Sequence, residues 1–229
     1  MYYWGYDSTY ILLIIGMLIS CVASARMNQA YNKYRTVPSR SGMTGAQAAR
    51  RILQAAGIYD VQIGEVAGKL SDHYDPSSKR VNLSSEVYHG SSLAAVGVAA
   101  HECGHAIQHA VQYAPLNFRT AIVPLANIGS SLSWPIFLLG LLTSIGPLVT
   151  VGILMFSLAV LFQLITLPVE FNASRRALVM LKSTGILGEQ EVKGAKTVLS
   201  AAALTYVAAL FAAILQLLRL VALSRRRKE

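Results

Sequence analysis

Residues 122–167 read IVPLANIGSSLSWPIFLLGLLTSIGPLVTVGILMFSLAVLFQLITL and contain no Asp, Glu, Lys, Arg or His. The run is too long for one crossing of a hydrocarbon core about 30 Å thick, which about 20 helical residues span. Thr143-Ser144-Ile145-Gly146-Pro147 supplies a break near its middle, Gly and Pro being strong punctuators of regular structure. The run therefore predicts two membrane helices joined by a tight turn. A hairpin returns the chain to the face of the membrane it left, so the segments before 122 and after 167 are expected on one side.

Two further apolar segments flank this hairpin. Residues 1–25 hold no Lys or Arg, whereas a signal peptide opens with a positive region. Residues 8–25 are accordingly expected to form a retained membrane helix, with Tyr2, Tyr3, Trp4, Tyr6 and Tyr10 as its interfacial belt. Residues 198–223 predict a fourth apolar helix, followed by a basic tail over 224–229. Between the spans lie two polar segments, 26–121 and 168–197. The chain is 14% charged and 54% hydrophobic, against about 25% charged in average soluble domains. These features predict a mainly α, integral membrane protein with about four transmembrane helices and one small polar domain.

The net charge is +9, but the cations flank apolar spans and no aromatic-plus-basic motif accompanies them. Membrane topology explains them better than nucleic-acid binding. Segments 26–121 and 168–197 hold 15 of the 20 Lys and Arg residues. The positive-inside rule then places their side in the cytoplasm. Arg225-Arg226-Arg227-Lys228 pulls the other way, because four complete spans would put this tail outside. Cys21 lies in an apolar stretch and Cys103 in the polar segment, which argues against a disulfide.

Within the polar segment, residues 44–56 have helical periodicity with Gly57 as a stop. Val61, Ile63 and Val66 suggest a short strand, and Asp75-Pro76-Ser77-Ser78 predicts a hairpin turn. Ser91 or Ser92 can cap a helix running through SLAAVGVAAHECGHAIQHAV. That helix carries His101-Glu102-Cys103-Gly104-His105, an HExxH pattern. Two histidines at i and i+4 share one helix face. Both imidazoles can then reach one Zn²⁺, with Glu102 beside them as general base on an activated water. Burying such groups in a nearly uncharged segment is costly unless they bind something.

A catalytic zinc has three protein ligands and an open position. A histidine six residues past the second one would be a third ligand in a metzincin, but that position is Val111. His109 lies about 12 Å along the helix from His101 and suits a supporting or substrate-side role, or simply a surface one. The better third ligand is Glu170, in LPVEFNASRRA, which the hairpin returns to the same face as the HExxH helix.

Together HECGHAIQH at 101–109, the upstream SDHYDPSSKRVNLSSEVYHGSSLAAVGVAA and the downstream LPVEFNASRRA resemble the YugP-type neutral zinc metallopeptidases. The chain is more distantly similar to the HtpX/Ste24-like membrane proteases. The resemblance implies a zincin-like α+β catalytic domain with His101, His105 and Glu170 as zinc ligands, one Zn²⁺ per chain, and Glu102 as catalytic base. In the HtpX/Ste24-like pattern an aspartate follows the glutamate ligand by four residues; here that position is Ser174. The resemblance also implies that substrate adds as a strand to a sheet edge, for which Lys79, Arg80, Val81, Asn82, Leu83 and Ser84 are candidates. His73, Tyr88, His89, Arg175 and Arg176 are all open as the group that stabilises the oxyanion.

The resulting expectation is a multi-pass membrane endopeptidase acting on membrane or unfolded proteins, with the lipid bilayer and a peptide substrate as partners and no nucleic acid. The alternative is a non-catalytic membrane scaffold stabilised by zinc. Metal transport would need ionisable residues inside the spans, which are scarce here.

Overall fold

The computed structural model describes residues 9–226. Its elements in chain order are α1 (Tyr10–Tyr34), α2 (Gly45–Ala55), β1 (Gln62–Val66), β2 (His73–Asp75), β3 (Arg80–Ser84), α3 (Ser85–His89), α4 (Leu93–Ala110), α5 (Ala114–Leu142), α6 (Gly146–Ser183) and α7 (Glu189–Arg226). Four of them, α1, α5, α6 and α7, are long and apolar enough to cross a membrane. The protein is thus a mainly α membrane protein with a small α+β part. Tyr2, Tyr3, Trp4 and Tyr6 of the expected belt lie outside the described residues, as do Arg227, Lys228 and Glu229 of the tail; Tyr10 is exposed.

The membrane helices are longer than the apolar runs that announce them. α1 continues beyond residue 25 to Tyr34, and α7 begins at Glu189, before its apolar part. α6 runs unbroken through Pro168 to Ser183. Proline removes one N–H and crowds the preceding turn, but within and beside membrane spans such positions are tolerated when neighbours satisfy the freed groups.

Contacts divide the chain into two compact units, one of residues 1–24, 118–167 and 205–229, the other of residues 25–117 and 168–204. In the first unit small residues let helices approach closely. A Cβ on Gly152 would meet Phe137, and one on Gly129 would meet Met155 and Leu158. Without a hydrophobic drive between helices in lipid, such backbone proximity is the main source of association. Phe137, Val149 and Leu220 form a buried cluster there.

The second unit has the larger core. Ile52 and Leu53 of α2, Val81 and Leu83 of β3, Val96 and Ala100 of α4, Leu181 of α6 and Leu199 of α7 all pack in one cluster. The start of α2 is fixed by a capping box in which Thr44 and Gln47 exchange hydrogen bonds. The sheet has the order β1-β3-β2. β2 and β3 form the expected hairpin, antiparallel with Tyr74 opposite Val81. Asp75 accepts from the backbone of Ser77 and the hydroxyls of Ser77 and Ser78, which closes the turn and holds its carboxyl well below the usual range. β1 adds in parallel on the other side of β3, Ile63 opposite Val81.

This order corrects one expectation. Arg80 to Ser84 form the central strand: Arg80, Val81 and Asn82 pair with both β1 and β2, while Leu83 and Ser84 pair with β1 and the Ser84 N–H donates to Asp72, so the strand is not the open edge of the sheet. Lys79 precedes the strand with a positive φ of 49° and pairs with Asp60. The pairing of β1 with β3 is what covers the edge that the hairpin alone would leave open. The free edges belong to β1 and β2.

Candidate metal centre

Everything at this site hangs on α4. Ser92 caps it, its hydroxyl accepting from the Ala95 backbone N–H. Its first turns, Leu93 to Ala100, are small and apolar and nearly all buried. This anchors the helix in the core, so that the turn bearing His101 and His105 is held rather than frayed. The two imidazoles lie 4.8 Å apart between ring centroids, nearly perpendicular. Glu102 is buried at 7% exposure, and among the described residues no hydrogen bond or ion pair engages its carboxylate. The two remaining residues of the motif face other elements. Cys103 points into the core against the Ala49 carbonyl of α2, and burial pushes its thiol pKa far up, so it stays protonated. Gly104 faces α6, where a Cβ would overlap the carbonyl oxygen of Ala173.

That close approach brings Glu170 of α6 to the histidines. Its Oε2 lies 3.2 Å from His101 Nε2 and 3.6 Å from His105 Nε2, and it is 3% exposed. The three donor atoms all lie within 4.8 Å of one another. Four tetrahedral ligands at 2.0–2.1 Å from zinc stand about 3.3 Å apart, so the spacing suits a single ion. A buried carboxylate beside one buried and one partly exposed imidazole is a donor set that fits Zn²⁺.

The second nitrogen of each ring is also engaged. His101 Nδ1 lies 3.1 Å from Ser174 Oγ, one turn after Glu170 on α6. His105 Nδ1 lies 3.0 Å from Gln108 Oε1. Gln108 is fully buried, and its amide nitrogen donates to the Val169 carbonyl at 2.8 Å and to Asn172 Oδ1 at 3.0 Å. Both amide protons being spent on acceptors, the Oε1 can only accept, so His105 carries a proton on Nδ1 and Nε2 is the atom it has available for a metal. Asn172 Oδ1 is fixed in turn by Arg176 Nε at 2.8 Å, whose guanidinium lies over the Tyr113 ring. Such outer partners typically affect metal affinity 10–100-fold. Gln108→Leu is expected to weaken zinc binding by about that factor, read by competition with a chelating dye; affinity equal to wild type would remove Gln108 from this role.

The other residues singled out by sequence are placed as follows. His109 takes no part in the donor cluster; its Nδ1 lies 2.8 Å from the Tyr74 hydroxyl of β2. Partial burial, with Asp60 and Asp75 nearby, pushes the Tyr74 phenol up to about 12, so it remains a proton donor at neutral pH. His73, next along β2, points to the opposite face of the sheet from Tyr74 by strand alternation and bonds Ser71 and Asn82. Tyr88 packs against the core and on His89, and His89 meets Glu65. Arg175 is exposed, whereas Arg176 reaches the Asn172 link. Gln108 and Asn172 escaped the sequence reading. Their signal was a pair of amides, each within three residues of a ligand.

Residues 9–225 match the model of a family described as "Putative neutral zinc metallopeptidase", and the chain belongs to that family. It is therefore a membrane protein of a zinc metallopeptidase family. Over 210 residues it is 47% identical to the "Putative membrane protease YugP" of Bacillus subtilis (strain 168), covering 92% of this chain and 93% of that protein. No solved structure matches it.

Proposed function

We propose that the chain is a membrane-embedded zinc endopeptidase that hydrolyses peptide bonds of membrane or unfolded proteins. The observation that carries this is Glu102, a buried carboxylate with no partner of its own, set within the same helical turn as two ligand-disposed imidazoles. A zinc held for stability alone has no need of a base beside it. Zinc bound by His101, His105 and Glu170 would supply Lewis acidity to a water and to the scissile carbonyl. Glu102 takes a proton from the attacking water and passes it to the leaving amine. Ser174 and Gln108 hold the imidazoles in the tautomers that binding requires. The edge of β2 is the corrected docking strand: it lies beside α4 through the Tyr74–His109 contact, and its unpaired side can add an extended peptide. His109 and Tyr74 stand where they can meet that peptide. The topology that fits the charge distribution is multi-pass, with 26–121 and 168–197 as the catalytic segments on the cytoplasmic face.

Cleavage of an unfolded test protein by the detergent-purified full chain tests this reading. A zinc chelator should stop cleavage, and added Zn²⁺ should restore it. Cleavage indifferent to the chelator would overturn the zinc mechanism. A protein loaded with zinc that cleaves neither soluble nor membrane-bound substrates would favour the scaffold.

A further inference from the structure

A second site, far in kind from the metal centre, lies between α1 and α7. The Tyr34 ring packs where a Cβ of Gly194 would stand, and Tyr31 packs with Val198. The two helices therefore run antiparallel, at a separation only a glycine permits. Beside this contact opens a cleft of about 740 Å³. Its rim carries Arg26 and Lys33 from α1 and Lys193 and Lys196 from α7. The spacings 26, 29, 30, 33 and 193, 196, 197, 200 put these residues on the facing stripes of both helices.

The cations are not consumed by the fold. Among the described residues none of the four is paired with a carboxylate. The acids at the start of α7 are engaged elsewhere: Glu189 binds Lys182, and Glu191 accepts from the Arg40 and Gly188 backbone. Lys33 lies over the Tyr34 ring. Thr197 and Ser200 add hydroxyls to the same wall. Toward the apolar part of α7 the lining changes to Ala201 and Leu204, level with the end of α1 that leads into its own apolar stretch. The cleft thus grades from cationic and hydroxylic to apolar along helices that continue as membrane spans.

We infer that this cleft binds an anionic phospholipid, its headgroup phosphate among Arg26, Lys33, Lys193 and Lys196 and its acyl chain leaving past Ala201 and Leu204. Charges placed only to set topology need not converge on one cavity, nor share it with hydroxyls and an apolar exit. Basic pockets between membrane helices suit anionic headgroups for this reason. The inference rests on the membrane fold and is independent of the peptidase reading.

Binding of a fluorescent phosphatidylglycerol to the full chain in neutral detergent micelles tests it. Each neutralised cation is expected to weaken binding about fivefold, so Lys193→Gln with Lys196→Gln should weaken it about 25-fold. Lys193→Arg with Lys196→Arg should bind like wild type, and phosphatidylcholine should not compete. Arg50→Gln with Lys69→Gln, which removes equal charge from outside the cleft, should change binding less than twofold. Unchanged zinc content and helicity establish that each variant is folded. Equal weakening by the two Gln pairs would reduce the effect to diffuse charge and overturn the site. Full displacement of the lipid by millimolar inorganic phosphate at constant ionic strength would reassign it to soluble phosphate and overturn the lipid.

Discussion

Glu102→Gln is expected to lose peptide hydrolysis while keeping its full zinc. The substitution preserves shape and removes only the basic lone pair. The Glu102 side chain is not among the three clustered donors, so metal content should not move. General-base catalysis contributes about 10²–10⁴ in rate, and the loss should fall in that range. Measurement requires wild type and variant purified side by side, with zinc determined first and cleavage of one unfolded substrate second. Equal cleavage by both would remove Glu102 as the base. Loss of zinc in the variant would instead make Glu102 part of the metal's own shell and change its assigned role.

Glu170→Ala should act at the preceding step. It removes one of three donors, and the two imidazoles left on α4 cannot by themselves close a tetrahedral protein site. The expected result is a purified protein with little or no bound zinc and no cleavage. A further readout separates this from simple misfolding. Ligands that bind the native state raise its melting temperature by mass action. Added Zn²⁺ should therefore raise the melting temperature of wild type and of Glu102→Gln, and leave that of Glu170→Ala unchanged. Glu170→Gln, which keeps the volume at a position only 3% exposed, controls for the cavity that Ala leaves. Full zinc content in both Glu170 variants would sink the ligand assignment.

Much of this arrangement is readable from the chain alone, and the reasons are local. HExxH on a capped apolar helix is a pattern within one element, so the positions of His101 and His105 follow from helical periodicity. Glu170 follows from a topological step, because an uncharged hairpin must bring its flanks back to one side. Other features depend on pairings between distant segments. Nothing in Gln62–Val66 announces that it will lie parallel to β3, and that pairing turns the expected edge into a central strand. The continuity of α6 through Pro168 also needs its neighbours, since proline on its own argues for a stop. Gln108 shows the same limit. A glutamine in a helix is ordinarily a surface residue, and only the docking of α6 reveals that its amide is spent on Val169 and Asn172.

The placement of Cys103 and Gly104 bears on how this enzyme family can vary. The HExxH pattern leaves its two middle positions open, as if any residue would serve. Here the thiol is enclosed against α2 and the glycine lies against the α6 backbone. A saturation library over 101–105, selected for both zinc retention and peptide cleavage, should therefore return no permissive column: large or charged side chains fail at 103, and anything beyond glycine fails at 104. Selection would then see five constrained letters where chemistry alone asks for three, with the additional information residing in the contacts of the helix rather than in the reaction.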